Sequence, residues 1–274
     1  MSDEVSYAYA VMGTAEGLTT ALEGVAGVAG ARVRLVPGGP GDALTAAVSS
    51  VPAGDFQESA LRRRLEDLDW LEVVARAHHT VIESLAPHTT VLPLRLATVY
   101  LDDGRVAAML EQEADHLSHA LRRLAGHLEW GVKIYVEPRP DTGNTEAPSA
   151  ADAADGLSPG RAYLRARRSQ RHSREESYES ARHAAERVEA IGAVMAAGHV
   201  RHRVQQGQLA VGTGENVVND AYLVPDEAAV EFRTRVLEAV QGLSGVRVDV
   251  TGPWAPYSFA APPGAQAPAT DRAP

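Results

Sequence analysis

The sequence predicts an α+β protein with two domains, and three observations support that fold class. Runs rich in β-branched and aromatic residues alternate with runs whose apolar residues recur every three or four positions, so strands and helices are mixed along the chain. The length of 274 residues exceeds what one core of ordinary size needs. A stretch rich in Pro, Ala, Gly, Asp and Ser at 138–159 has the composition of a flexible insertion. We predict domains at 1–126 and 127–260 and a disordered tail at 261–274.

The first fifty residues predict three strands and one short helix. The β-rich run VSYAYAVM begins at Val5, the alternating run ARVRLV begins at Ala31, and LTAAVSSV begins at Leu44. Between the first two runs, residues 14–23 predict a helix with Thr14 as its N-cap.

A long helix and a strand are predicted next. An N-cap signal at Asp55 opens a helical segment that continues to Pro87, where the helix ends because proline has no backbone N–H. The β-branched run before Leu92 favours an extended chain, and we predict one strand from Leu92 to Tyr100. The helix face predicted to be buried consists of Leu68, Leu71, Ala75, His78, Ile82 and Leu85.

A further helix is predicted between Asp102, its cap, and Gly126, where it ends. With the preceding elements it completes an N-terminal mixed α+β domain. Its buried stripe is predicted to consist of Val106, Leu110, Leu117, Leu121 and Leu124.

The second half has the element order β-α-β-β-α-β. A strand starts at Leu128, a helix spans about 160–197, two strands follow as HVRHRVQQ and NVVNDAYLV, and a helix from Pro225 leads to the strand VRVDVTG. That order is the ferredoxin-like, split βαβ arrangement, so we predict a ferredoxin-like C-terminal domain. The aromatic segment 254–259 has the composition of an extended tail docked on a surface.

Composition excludes several classes of function. The formal charge of −10 disfavours broad attraction to nucleic acid or anionic lipid. The absence of cysteine excludes disulfides, thiolate metal sites and thiol nucleophiles. The N-terminal residues are acidic where a signal peptide would be basic, and no apolar run approaches 18 residues. We therefore expect a cytoplasmic protein that binds neither nucleic acid nor a membrane.

No residues form a recognisable catalytic or metal-binding pattern. His116 and His119 lie one helical turn apart beside Glu113, but no third strong ligand follows in a recognisable pattern. No G-x-S-x-G pentapeptide is present, and the glycine-rich loops lack the lysine of a phosphate-binding loop. We predict no catalytic, cofactor-binding or metal-binding residue.

Arginines and tryptophans are the remaining candidates. The cluster between Arg161 and Arg174 suggests a salt-bridged helix face or a contact with an acidic protein, whereas a nucleic-acid site would need a continuous basic face. Arg95 lies in an apolar strand pattern, so its guanidinium is predicted either to pair with Glu129 or Asp69 or to contact a partner. Trp70 and Trp130 have the surroundings of core residues, and Trp254 is either docked internally or offered to a partner.

Several motifs resemble the GvpF/GvpL family of gas vesicle proteins. The run D-W-L, then A-x-x-H, then V-L-P-L-R-L-A-T-V-Y resembles the family's tryptophan helix and its P-[LF]-R-[FL]-[GA]-T strand. The resemblance continues at E-W-G-V-K, G-R-A-Y-L-R-A-R-R, N-D-A-Y-L-V-P and T-G-P-W-A-P-Y-S-F. This chain has LRLAT where many members have LRFGT. The matching positions include Trp70, His78, Pro93, Arg95, Glu129, Trp130, Lys133, Tyr163 and Tyr222.

The resemblance implies a function that the residues alone do not. It implies a non-enzymatic accessory protein, associated with gas vesicles, that assists shell assembly by contacting the hydrophobic shell protein GvpA and other accessory proteins. Partner contacts are predicted at Arg95, Trp254, Tyr257 and Phe259. The alternative is an enzyme or small-ligand binder built on the ferredoxin-like domain.

Overall fold

The computed structural model describes residues 4–56, 60–61, 64, 66–137, 159–204 and 214–260. The chain forms two compact units. Unit 1 comprises the described residues of Met1–Glu129 and Pro253–Pro274, and unit 2 comprises those of Trp130–Gly252. The last eight described residues, 253–260, therefore belong with the N-terminal unit. The predicted tail at 261–274 and most of the predicted insertion lie outside the described residues.

Unit 1 is built on an antiparallel sheet. Its strands, among the residues described, are β1 (Glu4–Gly13), β2 (Val33–Gly38), β3 (Leu44–Pro52), β4 (Val91–Pro93) and β5 (Val99–Tyr100). The order is β2-β3-β1-β4, and β5 also pairs with β1. Every side chain from Ser6 to Met12 on the central strand β1 is buried, so both of its faces are covered.

The helices of unit 1 pack on this sheet. They are α1 (Leu18–Ala21), α2 (Ala53–Phe56), α3 (Leu68–Leu85), α4 (Asp103–Gln112) and α5 (Ala114–Leu124). Asp67 caps α3 by accepting a hydrogen bond from the backbone N–H of Trp70 at 3.1 Å. The predicted stripe Val106, Leu110, Leu117, Leu121 and Leu124 is buried, although the single predicted helix is two helices that meet at Glu113.

Three local predictions for unit 1 were wrong. Thr14 does not cap a helix, because its hydroxyl donates to the carbonyl of Asp42 at 2.6 Å and only a single turn forms at α1. The buried face of α3 is confirmed at His78, Ile82 and Leu85, but it also includes Val74 and Val81, and the predicted core residue Leu68 is 60% exposed. The predicted strand from Leu92 to Tyr100 is split into β4 and β5 by a turn.

Unit 2 has the predicted order of elements. Within the described residues these are β6 (His127–Val136), α6 (Pro159–Met195), β7 (Gly198–Arg201), β8 (Glu215–Pro225), α7 (Ala229–Ala239) and β9 (Val246–Trp254). The sheet order is β7-β8-β6-β9. Ile134, Ala181 and Ala184 form the centre of one hydrophobic core between sheet and helix. The two units together make a mixed α+β fold with two antiparallel sheets.

Candidate partner-binding surface

A five-residue turn separates β4 from β5 and carries Arg95. Both strands pair with β1, and the turn leaves the sheet between them: Leu94 N–H donates to the carbonyl of Tyr9, and Ala8 N–H donates to the carbonyl of Thr98, each at 2.9 Å. Thr98 then closes the turn, because its backbone N–H and its hydroxyl both donate to the carbonyl of Arg95, at 3.1 Å and 2.7 Å. The turn is therefore fixed at both ends and across its middle.

Ala97 occupies an unfavourable backbone conformation inside this turn. Its φ of +63° lies in the left-handed region, where a Cβ atom costs roughly 1–2 kcal/mol. Its backbone N–H donates to the phenolic oxygen of Tyr7 at 3.1 Å, and Tyr7 is fully buried. A partly buried hydrogen bond thus stabilises a strained residue next to the exposed part of the turn, a combination that often marks a functional site.

Tyr7 is in turn held by His78 of helix α3. The Tyr7 hydroxyl lies 3.0 Å from His78 Nδ1, and burial lowers the pKa of His78 to about 4. The imidazole is therefore neutral at neutral pH, so Nδ1 can accept the proton of Tyr7 while the phenolic oxygen accepts the N–H of Ala97. Burial likewise raises the pKa of Tyr7, which keeps its proton available for this bond.

The predicted pairing of Arg95 with Glu129 or Asp69 was wrong. The turn lifts Arg95 out of the sheet, and its side chain is exposed to solvent. Among the residues that the structure describes, no carboxylate pairs with its guanidinium. Glu129 instead accepts hydrogen bonds from the backbone N–H of Ser258 at 2.7 Å and from its hydroxyl at 2.6 Å. Arg95 therefore presents a charge on a rigid turn.

The segment Pro253–Ala260, here called the C-terminal arm, packs into unit 1. Ala255 and Phe259 are buried, and Tyr257 packs beside them against the same core. The carbonyl of Phe259 accepts a hydrogen bond from Arg123 at 2.5 Å, and the Glu129 carboxylate holds Ser258. Burial raises the pKa of Glu129. The expectation that the tail is docked is confirmed, and its docking site is the N-terminal unit.

Trp254 is the arm's exposed aromatic residue. Its indole is 38% exposed and lies edge-on to His79, with ring centroids 5.4 Å apart. His79 Nδ1 is also 3.1 Å from the Tyr257 hydroxyl, and His79 Nε2 is 3.0 Å from a Glu83 oxygen. Of the four residues predicted to contact a partner, the structure exposes Arg95 and Trp254, half-buries Tyr257 and buries Phe259. Their role stays a prediction.

Unit 1 exposes further large apolar side chains that the sequence patterns did not single out. Leu68 and Val73 on α3 and Leu101 before α4 are each at least 60% exposed. Helical spacing predicted that Leu68 is buried. Leu68 is the first residue of α3, however, and its side chain is exposed. Isolated exposed apolar residues are ordinary, and the described part of unit 2 exposes four as well, so each of these side chains is a candidate contact by itself. We call Arg95, Trp254, Leu68, Val73 and Leu101 the unit 1 contact residues.

The remaining motif residues lie in the secondary structure of the two units, and their structural role stays a prediction. Trp70 packs beside Phe56 with ring centroids 5.9 Å apart, and Trp130 and Tyr222 are buried in unit 2. Lys133 lies half-buried in β6, and Pro93 ends β4. Tyr163 lies in α6, but its side chain is outside the described part of the structure.

Unit 2 contains a cleft of about 260 Å³ whose charges are paired with one another. Arg182 lies 3.7 Å from Glu186, and Arg201 lies 3.8 Å from Glu189 and 3.0 Å from the buried Asp220. Burial lowers the pKa of His202 on the cleft wall. In the described part of the chain, no three His, Asp or Glu side chains are grouped so that they could hold a metal ion. No described helix is long and apolar enough to span a membrane.

Comparison with known proteins assigns the family. A family model described as gas vesicle synthesis protein GvpL/GvpF matches residues 5–261. Gas vesicle protein L of Streptomyces sp. (strain CB03234) is 44% identical over 261 residues, which cover 94% of each chain.

Two crystal structures share the fold. Gas vesicle protein GvpF from Anabaena sp. PCC7120 has a TM-score of 0.59, covering 94% of this chain and 96% of its own. GvpF from Microcystis aeruginosa has a TM-score of 0.55, covering 94% and 99%. Both are 19% identical to this chain, so they support the fold, whereas the family model and the Streptomyces relative establish kinship. The chain belongs to the GvpL/GvpF family of gas vesicle synthesis proteins.

Proposed function

We propose that this protein is a non-enzymatic assembly factor that binds the hydrophobic shell protein GvpA and other gas vesicle proteins at the vesicle in the cytoplasm. The observation that carries the proposal is the set of unit 1 contact residues, in which exposed apolar side chains accompany a rigidly presented arginine. Apolar contacts supply most of the free energy in such interfaces, and arginine is enriched among their hot spots. Family membership supports gas vesicle components as the partners.

The rigid turn supports binding by Arg95 for a physical reason. A long side chain loses conformational freedom when it binds, and that cost is smaller when its backbone is already fixed. The carbonyl of Arg95 accepts two hydrogen bonds from Thr98, and the adjacent Ala97 is held by Tyr7. We infer that Arg95 pairs with a carboxylate of the partner while Trp254 and the exposed residues of α3 contact its apolar surface.

Unit 2 has the strand order and element order expected of a ferredoxin-like domain, and we propose that it is one. In its cleft, arginines and glutamates neutralise one another, which is a stabilising arrangement and leaves little charge to recognise a ligand. We therefore assign unit 2 a supporting role and place the contact surface on unit 1.

The test is co-expression with GvpA, measuring how much GvpA remains in the soluble fraction and how much is captured with this chain. We expect the intact chain to raise soluble GvpA severalfold, and the triple variant Arg95→Glu, Val73→Ser, Trp254→Ser to lower capture at least tenfold. These side chains are exposed, so the variant should fold.

A matched control uses apolar residues on unit 2. Val194 and Val230 are each 80% exposed, and Val194→Ser with Val230→Ser removes a similar amount of exposed apolar surface. Capture of GvpA by this control should equal that of the intact chain. Failure of the intact chain to capture or solubilise GvpA would refute the proposal, and selective loss in the unit 2 control would move the interface away from unit 1.

A further inference from the structure

The described side chains in the N-terminal half of helix α6 are exposed, apart from the half-buried Ser173. The helix has 37 residues, and Ser177 is the first buried residue among its described side chains. From Leu164 to Glu176 every described side chain is exposed except Ser173, which is half-buried. At about 1.5 Å per residue, the part before Ser177 extends roughly 27 Å. Helices shorter than about 12–15 residues are marginal alone, and most helices gain stability by packing one face.

The charges along α6 are separated into two blocks. Arg161–Arg174, the basic segment, contains six arginines and no acidic residue. Glu175–Glu189, the acidic segment, contains five glutamates and two arginines. Because the whole chain carries −10, the chain outside the basic segment carries −16. This distribution is unusual for an acidic protein, since it concentrates positive charge on one stretch of helix whose described side chains are mostly exposed.

A straight helix cannot bring its own two segments together. Ion pairs within a helix join residues three or four positions apart, so only the junction between the segments can pair in this way. Arg171 forms such a pair with Glu175 at 3.4 Å, and His172 Nε2 lies 3.3 Å from a Glu176 oxygen. Arg174 reaches Glu215 of β8 at 3.5 Å. Arg168 lies seven positions, about 10 Å, before Glu175, too far for an ion pair within one helix.

We propose that a second copy of this chain docks antiparallel along α6, so that the basic segment of each copy lies on the acidic segment of the other. A two-fold axis near the junction satisfies both contacts at once, as closed symmetric dimers require. The acidic face is exposed at Glu175, Glu179 and Glu186, and the pairs that Glu175 and Glu186 form with Arg171 and Arg182 are exposed pairs within the helix, which are weak. At physiological salt, charges more than about 8 Å apart in solvent are largely screened, so the net negative charge of the two chains causes little repulsion. The charges that face one another across the contact therefore matter most.

The same observations favour a protein partner over nucleic acid. From Leu164 to Glu176 the sequence has no Phe, Tyr or Trp, and Tyr163 is the one such residue in the basic segment, whereas single-strand binders stack successive bases on several aromatic side chains. Leu164 is 65% exposed and offers an apolar contact. The acidic segment would repel a phosphate backbone that followed the helix.

The test is sedimentation equilibrium of the full chain at 50 mM and 500 mM salt. We expect a reversible dimer whose Kd rises at least tenfold at the higher salt concentration. Two variants with reversed charges at exposed positions of α6 test whether these segments form the dimer contact. Variant A carries Arg165→Glu, Arg168→Glu and Arg171→Glu, and variant B carries Glu175→Arg, Glu179→Arg and Glu186→Arg.

Variants A and B should each be monomeric, because like charges then oppose one another across the axis. An equimolar mixture of A and B should dimerise, since each reversed segment then meets a segment of opposite sign. Equal circular dichroism spectra would show that both variants fold. A monomeric intact chain, variants that dimerise as the intact chain does, or an A and B mixture that stays monomeric would overturn the proposal. Binding of a 20-nucleotide single-stranded DNA by a chain that does not self-associate would assign the segment to nucleic acid instead.

Discussion

The phenolic oxygen of Tyr7 lies 3.0 Å from Nδ1 of His78 and 3.1 Å from the backbone nitrogen of Ala97. Three elements of unit 1 meet at this oxygen: the central strand β1, helix α3 and the turn that carries Arg95. With a neutral imidazole, the phenol can donate to His78 Nδ1 while its oxygen accepts the N–H of Ala97. The exposed turn and a buried histidine therefore share one phenol.

The first prediction concerns pH and His78. Burial lowers the pKa of His78 in the folded protein to about 4, from an ordinary value of 6.5. The imidazole of His78 therefore binds a proton more readily in the unfolded chain. The contribution of neutral His78 to stability is complete above pH 6.5 and is lost as the pH falls toward 4. Within that window we expect the free energy of unfolding to fall by about 1.4 kcal/mol per pH unit because of this residue.

The measurement is urea denaturation at pH values from 7.5 to 4.5, comparing the intact chain with His78→Gln. The variant is expected to be less stable at pH 7.5 but to have a shallower dependence on pH. His79→Gln is the matched control, because His79 is adjacent in sequence but partly exposed. Parallel pH profiles for the intact chain and His78→Gln would show that His78 is not the titrating group.

The second prediction concerns the strained residue of the turn. Ala97 has a φ of +63°, and glycine adopts this conformation without a Cβ penalty. Ala97→Gly should raise the free energy of unfolding by about 0.5–1 kcal/mol, after the greater freedom of glycine in the unfolded chain is subtracted. Ala97→Val should lower it by more than about 1 kcal/mol, because a β-branched side chain is disfavoured there. Destabilisation by Ala97→Gly, measured by chemical denaturation, would contradict this explanation.

This turn also shows where the sequence was insufficient. Leu92, Leu94 and Leu96 alternate as they would in a strand, and nothing local indicates that the chain leaves the sheet at Leu94. The turn depends on Tyr7, about ninety residues earlier. The motif offered one signal, because the family pattern that this chain resembles allows glycine or alanine at the position of Ala97, and glycine is the residue that adopts a positive φ most readily.

Elements with strong periodicity were predicted well, and long-range polar contacts were not. The buried stripe from Val106 to Leu124 follows from helical spacing, and so does the order of elements in unit 2. The bonds from Ser258 to Glu129 join residues 129 positions apart, and no local pattern encodes them. The partner assigned to Arg95 was wrong for this reason, since Glu129 was already held by the arm.

The third prediction separates the two ends of the C-terminal arm. Phe259 is 5% exposed, so Phe259→Ala should lower the free energy of unfolding by about 3 kcal/mol through lost burial and a cavity. Trp254→Ala should cost less than about 1 kcal/mol, because that indole is 38% exposed and lies edge-on to the partly exposed His79. Chemical denaturation checks both values. A similar loss for both variants would mean that Trp254 is a core residue and a poor choice for an interface.

The last prediction concerns Gly192 of helix α6. Glycine inside a helix is usually less favourable than alanine by roughly 1 kcal/mol, so propensity alone predicts that Gly192→Ala stabilises the protein. A Cβ atom at this position would lie 2.2 Å from Cε1 of Tyr222, which is buried and stacked on His199 with ring centroids 4.7 Å apart. Tyr222 also packs against Phe232 of α7, so its ring is held from both sides.

We therefore expect Gly192→Ala to lower the free energy of unfolding by about 1–3 kcal/mol, the usual cost of overpacking. Gly54→Ala in helix α2 is the matched control, because a Cβ there meets nothing within 4 Å, and it should be neutral or slightly stabilising. The double variant Gly192→Ala, Tyr222→Leu should recover part of the loss in denaturation experiments, since the clash is with the ring; equal stability of the two single glycine variants would show that Tyr222 moves aside freely.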